Sequence, residues 1–394
     1  MKYDFETIID RDPAIRGTGK YRIMKDSKGN KPPKGIVPLS VADMEFRTAP
    51  CVIDAIKAEA DFGVLGYHRL TDSFRESCQW MKTRHDWDVQ PDWIVPFEQV
   101  VPALYNAVWT FTQPGDGILI QTPDYHHFTG ATVNTGRKVL ENRLVADEKG
   151  HYTVDFDDFR EKAKQAKLFF LCSPQNPTGR VWTEEELRRM MELCLQYHVL
   201  VVSDEIHSDL IFHGKKHIPT ASLSPEIAAN VITGISGTKT FNLAGLQAST
   251  VVFPDHHKKE VFDHFWQCMD IHRNNAFSLT AMEAAFNHGE EWLEQLLPYL
   301  SANFDYVVDY CEKHIPKIKT YAPDATYLMW LDCRELGMTN EELHDFMIQK
   351  AKLGLNDGCS FGRSLNGYMR LNAACPRATL EKAMAQLEAA VNSL

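Results

Sequence analysis

No apolar run in this 394-residue chain approaches the roughly 18 residues that a helical membrane span needs, so a protein that crosses the membrane by helices is excluded. The segment Met1 to Asp10 is mixed polar and acidic and lacks the apolar centre of a signal peptide; the expected location is the cytoplasm. The 9 cysteines are dispersed and include no C-x-x-C pair, which reads as reduced thiols rather than a disulfide framework. Positive charge is in deficit, with 42 Lys and Arg against 53 Asp and Glu, a net charge of −11. Such a chain repels nucleic acid and anionic lipid, so neither is an expected partner. Internal repeats and low-complexity segments are absent, and Lys28 to Gly35 is the only linker-like stretch. Gly17-Thr18-Gly19 lacks the third glycine and the preceding strand of a dinucleotide fingerprint, which argues against a nicotinamide site. The adjacent pairs His126-His127 and His256-His257 point apart on a helix or a strand, and no H-E-x-x-H or Cys/His spacing occurs, so no metal is expected.

What is present describes a large folded enzyme-sized chain. Hydrophobic residues make up 44% and charged residues 24%, and the length calls for two domains sharing a surface. From Cys51 to about Asn287, short apolar runs alternate with helical patterns. Candidate strands are Gly117–Gln121, Leu168–Cys172, Val199–Ser203, Val231–Gly234 and Ser249–Phe253, most of them apolar on both faces, as in a parallel sheet covered by helices. Thr183-Glu184-Glu185-Glu186 forms a capping-box signature, followed by a core stripe of Leu187, Met190, Cys194 and Tyr197. Trp80, Trp87, Trp93, Trp109 and Phe111 read as core or interface packing. After Asn287 come long helices (Glu290 to His314, Asn340 to Lys352), short strands (Thr326 to Asp332, Tyr368 to Asn372) and a last amphipathic helix with Leu380, Met384, Leu387, Val391 and Leu394 on one face.

Four polar clusters stand where strands end: Thr122-Pro123-Asp124-Tyr125, Ser173 to Gly179, Ser203 to His207, and Ser236 to Asn242. The carboxyl ends of parallel strands line one crevice, so these clusters are expected to converge. Such a crevice offers an amine (Lys239) preceded by the hydroxyls of Ser236 and Thr238, a carboxylate (Asp204) after a very apolar strand, an amide (Asn176) and an aromatic ring (Tyr125). Pyridoxal phosphate chemistry asks for this inventory. A lysine forms an imine with the cofactor, a carboxylate keeps the pyridine nitrogen protonated, hydroxyls and backbone amides hold the phosphate, and a ring stacks on the cofactor face.

The chain resembles fold-type I pyridoxal phosphate enzymes of the class I/II aminotransferase family, and within them the PatB/MalY-like carbon–sulfur β-lyases, the cystathionine β-lyase branch. The resemblance is carried, in order along the chain, by Val41 to Phe46 with Thr48-Ala49-Pro50, Gly66-Tyr67, Asn176 to Arg180, Ser203 to Asp209, Thr238 to Gly245 and Arg370 to Arg377. It implies an α/β fold whose large domain, 51–289, holds a mostly parallel seven-stranded sheet between helices. A smaller α+β C-terminal domain, 290–394, would be joined by the N-terminal segment 1–50. By the same resemblance Lys239 carries pyridoxal 5'-phosphate, Asp204 pairs with the pyridine nitrogen, Asn176 bonds the ring oxygen and Tyr125 stacks. Arg370 would clamp the substrate α-carboxylate, a task suited to its two-pronged fork. Tyr67 would reach the phosphate in the neighbouring subunit of a homodimer. The position eight after the lysine, often an arginine in the wider family, is Gln247, so the phosphate leans on Ser236, Thr238, Tyr67 and the backbone near Val100 and Val101. Ser173 and Gln175 replace the branch's usual asparagine and histidine, and Asp12-Pro13-Ala14-Ile15 lengthens the segment before Gly17. These departures bear on substrate identity more than on cofactor use.

Plainer roles stand beside these. Glu205 reads as a cap or first-turn carboxylate and Arg377 as a structural salt-bridge partner. The small-molecule substrate expected is an amino acid. Three activities fit the site residues: β-elimination of a thiol from cystathionine or another cysteine S-conjugate, transamination of an L-amino acid, or a binding role that keeps fold and cofactor. The resemblance favours elimination, and Lys239, Asp204 and Arg370 serve the first two alike.

Overall fold

A computed structural model describes all residues except 1, 12–18, 23, 68–69, 149 and 271–274. The insertion Asp12-Pro13-Ala14-Ile15 and the Gly17-Thr18 pair therefore lie outside the described residues. The large sheet has seven strands, β1 (Ile94–Phe97), β2 (Gly117–Thr122), β3 (Lys138–Arg143), β4 (Ala166–Cys172), β5 (Leu200–Asp204), β6 (Val231–Ile235) and β7 (Ser249–Val252). Their spatial order is β1-β7-β6-β5-β4-β2-β3. Strands β6, β5, β4, β2 and β3 pair parallel, while β7 is antiparallel to both β6 and β1. The mostly parallel seven-stranded sheet is thus present.

Alternation along the strands sorts side chains into two cores. Leu119, Phe169, Leu171 and Val201 face one side, and Ile118, Ile120, Phe170 and Val202 the other, all of them buried. Burial on both faces explains why these strands read as continuous apolar runs. The first core continues into the C-terminal elements, where Leu328, Leu380, Met384 and Leu387 join it. That region holds a four-stranded sheet of β8 (Lys319–Thr320), β9 (Leu328–Asp332), β10 (Asn356–Asp357) and β11 (Tyr368–Asn372), ordered β8-β9-β11-β10.

Five helices frame the polar clusters and the C-terminal sheet: α1 (Val100–Phe111), α2 (Glu184–Gln196), α3 (Gly237–Thr240), α4 (Glu290–His314) and α5 (Arg377–Val391). The capping box of α2 is formed, with Thr183 and Glu186 each receiving the other's backbone N–H. Three sequence expectations need correction. Leu394 lies beyond the end of α5 and is exposed, because the chain leaves the helix at Asn392. The expected helix from Asn340 to Lys352 is regular only to Asp345 and then widens over Phe346–Lys350, burying Phe346, Met347 and Ile348 in succession. Arg377 is held by neutral acceptors, Asn303 Oδ1 and Ala302 O, with its guanidinium over Tyr306. Trp109, at 41% exposure, is outside the core, which leaves the interface reading for it.

Candidate active site

The polar clusters follow the carboxyl ends of β2, β4, β5 and β6, and residues of three of them meet the start of α1, which follows β1, around one cavity. A cavity of about 210 Å³ is lined by Val100, Val101, Tyr125, Ile206, Ser236, Thr238, Lys239 and Gln247, among others. Each side chain arrives for a local reason. Ser236 caps α3 by accepting from Thr238 N at 3.0 Å, which aims the one turn that carries Lys239. Its hydroxyl also meets Thr238 Oγ1 at 2.7 Å and donates to Ala248 O at 2.6 Å. At α1 the preceding Gln99 makes no side-chain cap, so the first N–H groups, at Val100 and Val101, have no capping side chain where they border the cavity. Uncapped donors at a helix start and two hydroxyls opposite them form a cradle for an anion such as phosphate.

Behind this cradle lie the buried charges. Lys239 Nζ donates to Ala42 O at 2.7 Å. Burial, aided by the charge of Arg370, draws its pKa down to about 8 against the opposing pull of Asp43 and Asp204. Asp204 is 3% exposed, and burial raises its carboxyl to about 7, only partly relieved by Ile206 N–H at 3.3 Å and by Lys239. Among the described residues no cation lies within ion-pair distance of it, so a protonated ring nitrogen would supply the missing partner. Tyr125, half-buried, has its phenol pushed up by burial and by Asp204.

Arg370 is buried at 5% exposure and surrounded by neutral acceptors: Asn176 Oδ1 at 3.0 Å, Ser40 O at 3.2 Å and Asn356 Oδ1 at 2.8 Å, with Phe361 under the guanidinium at 4.7 Å. Its Nε has no hydrogen-bond partner, and burial lowers its pKa to about 10. A buried guanidinium without a carboxylate is a receptor for one. Of the expected residues, Lys239, Tyr125, Ser236, Thr238, Val100 and Val101 line the cavity; Asp204, Asn176 and Arg370 are not among its lining, though Arg370 binds Asn176 and the charges of Asp204 and Arg370 both act on Lys239. Tyr67 does neither; it is 86% exposed on this chain.

Several contributors come from outside the four polar clusters. The strap Ser40–Phe46 threads between the two sheets, its carbonyls bound by Arg370, Asn372, Lys239, Tyr327 and Asn242. Tyr327, at the start of the expected strand Thr326 to Asp332, and Asn356, in the two-residue strand β10, carried no sign of a role at the site. Ile206 lines the cavity and could have been found from its place two residues after Asp204. Glu205 is neither cap nor first-turn residue: it is fully buried and pairs with His217 Nε2 at 2.9 Å. Gln175 turns away from the cavity, donating to Pro123 O and accepting from Thr178, so it braces the asparagine loop. Gly179 in that loop has φ +70 and lies where a Cβ would meet Pro323 at 2.4 Å, which requires glycine. A larger groove of about 580 Å³, between Ala146–Tyr152 and Lys319–Arg334, contains none of the expected site residues.

Fold and site together define a pyridoxal-phosphate-type α/β enzyme, and the chain belongs to the aminotransferase class I and II family, whose model matches residues 34–387. Among curated relatives, it is 41% identical to cystathionine beta-lyase PatB of Bacillus subtilis over 90% of this chain and 92% of that one. It is 31% identical to protein MalY of Escherichia coli over 100% of both chains. Among solved structures, cystalysin from Treponema denticola, which contains a pyridoxal 5'-phosphate cofactor, superposes with a TM-score of 0.96 at 35% identity over 100% of both chains.

Proposed function

We propose that this chain is a pyridoxal 5'-phosphate-dependent carbon–sulfur β-lyase, cleaving L-cystathionine or a related cysteine S-conjugate to a thiol, pyruvate and ammonia. The observation that carries the reading is a partly buried amine, Lys239, facing an anion-cradling cavity, with the buried carboxylate of Asp204 close enough for the two charges to act on each other. The relatives, cystathionine beta-lyase PatB first among them, supply the branch. Lys239 would hold the cofactor's aldehyde carbon, Asp204 its pyridine nitrogen, Asn176 its ring oxygen and Tyr125 its face. Ser236, Thr238 and the N–H groups of Val100 and Val101 would hold its phosphate. When bound, the cofactor supplies a ring that accepts the electron pair left at the substrate Cα.

The protein's own groups do the rest. Arg370 holds the substrate α-carboxylate in two-pronged fashion and so orients Cα toward Lys239. Lys239 Nζ, once free, takes the Cα proton; at a pKa of about 8 a useful fraction is unprotonated near neutral pH. Asp204, kept from water, stabilises positive charge at the ring nitrogen. Loss of the Cα proton lets a thiolate leave from Cβ, and the remaining three-carbon fragment hydrolyses to pyruvate and ammonia.

The enzyme would work as a cytoplasmic homodimer, with Tyr67 of the partner subunit completing the phosphate site. Support comes from the exposed apolar segment of Phe62, Val64, Leu65 and Tyr67, which a lone chain leaves in water. The test is incubation of purified protein with cystathionine and no keto acid. Pyruvate release is the expected result; turnover only when a keto acid acceptor is added would overturn elimination in favour of transamination.

A further inference from the structure

A buried polar chain joins the two flanks of this site and takes no part in the proposed reaction. Thr240, the neighbour of Lys239 in α3, donates from Oγ1 to Asp209 Oδ2 at 2.7 Å. The other oxygen of Asp209 accepts from Trp80 Nε1 at 2.9 Å and from His85 Nε2 at 2.8 Å. The His85 ring meets the His217 ring edge-on, with centroids 5.2 Å apart and planes at 85°. His217 Nε2 lies 2.9 Å from Glu205 Oε2, and Glu205 follows Asp204 in the chain. Glu205 Oε1 also accepts from Ser203 Oγ and Thr220 N. The side chains of His85, Asp209, His217 and Glu205 are 5%, 4%, 1% and 0% exposed.

The charges in this chain are settled. Burial pushes Asp209 up, but donors on His85, Thr240 and Trp80 hold it below the ordinary carboxylate range. Burial drives His85 below the ordinary imidazole value, so a neutral ring donates its Nε2 proton. Three donors thus converge on one buried anion, and Thr240 cannot shift without giving up a charge-assisted bond. Helix α3 is a single turn with little rigidity of its own. Its placement depends on side-chain anchors at Ser236, at Thr240, and at Asn242, whose amide binds the strap at Met44 and Phe46.

We propose that Asp209, held by Trp80 and His85, is a positioning residue for Lys239, fixing α3 through Thr240, while His217 and Glu205 fix the end of β5 that bears Asp204. This role rests on the proposed cofactor attachment at Lys239. Its test compares Thr240→Val and Thr240→Ser in the cofactor-loaded enzyme. Thr240→Val should lower kcat about tenfold, which is about 1.4 kcal/mol, with KM unchanged within about twofold. It should also weaken the visible circular dichroism of the bound cofactor, and Thr240→Ser, which keeps the hydroxyl, should restore both. Wild-type kcat and dichroism in Thr240→Val, or equal impairment in Thr240→Ser, would overturn the proposal. Should Thr240→Val not fold, His85→Leu against His85→Gln asks the same question, since only glutamine keeps a donor for Asp209; identical spectra and rates in that pair would overturn it. Borohydride reduction of the wild type with subsequent peptide mapping tests the cofactor attachment separately: label absent from Lys239 would sink that attachment, whatever Thr240 does.

Discussion

At the scale of single residues, the site works by keeping charges away from water. Only a neutral amine attacks an aldehyde carbon, so capture of pyridoxal 5'-phosphate by cofactor-free protein should accelerate as pH rises and level off above about 8, where Lys239 has lost its proton. An ordinary lysine, with a pKa of about 10.4, would keep accelerating for roughly two further units. Stopped-flow absorbance across pH 6 to 11 measures this directly, and Lys239→Ala should abolish both the capture and all turnover. Arg370→Ala leaves Asn176 and Asn356 without their shared donor and removes the proposed α-carboxylate receptor. It should raise KM on the order of a hundredfold, the loss of about 2–3 kcal/mol expected when a two-pronged charged bond disappears. Steady-state kinetics on cystathionine reads this; an unchanged KM would mean that another group holds the carboxylate. Lys239 was legible because it comes after an apolar strand and two hydroxyls, whereas Arg370, inside β11, was legible only through the family resemblance. Glu205, Asp209 and Tyr327 were not, because their partners come from elements 12, 31 and 285 positions away in the chain, and no local pattern links them.

At the scale of elements, the central strands of the large sheet were legible as apolar runs and its two edge strands were not. Strand β3 lies at the sheet edge with Lys138 and Arg143 exposed, so it lacks the apolar run that marks β4 and β5. Strand β1 is the other edge, and Pro96 sits inside it, a residue that edges tolerate and that hides a strand from pattern reading. Helix α2 was readable from its cap, and the cap does more than end a helix. Glu186 also takes both prongs of Arg180, at 2.8 and 2.6 Å, and Arg180 is 5% exposed while donating to Tyr152 O. Thr183→Ala removes the two exposed bonds of the capping hydroxyl, from Glu186 N and to Glu186 Oε2, and should cost about 1 kcal/mol. Glu186→Ala strands a buried guanidinium and should cost on the order of 3 kcal/mol. Burial pushes Glu186 up, but Arg180 and Thr183 bring it net below the usual carboxylate value, so its contribution is present above the unfolded pKa and fades as pH falls through the folded one. Thermal melts at pH 7 and at pH 3 should therefore show a wide gap between wild type and Glu186→Ala that narrows in acid.

At the scale of the whole molecule, the described chain encloses most of a cofactor site and leaves one expected contributor, Tyr67, out on its surface. The segment Phe62–Tyr67 continues from the helix Pro50–Phe62, which packs on Ala276–His288, and that places an apolar surface outside the folded core. In a two-fold dimer that set this patch against the partner's cradle, each subunit would lend Tyr67 to the other's phosphate site. This arrangement makes a specific demand on mixtures. A Lys239→Ala chain keeps a good Tyr67 but has no working site of its own; a Tyr67→Phe chain keeps Lys239 but offers its partner a ring without the hydroxyl. In a hybrid dimer the site built on the intact Lys239 receives the intact Tyr67, and the second site is dead. Co-refolding equal amounts should therefore give about a quarter of wild-type activity, because half the dimers are hybrids and each has one competent site of two. Parent proteins mixed without unfolding should show less than this, and activity equal to the simple average of the two parents after co-refolding would mean that each chain builds its site alone.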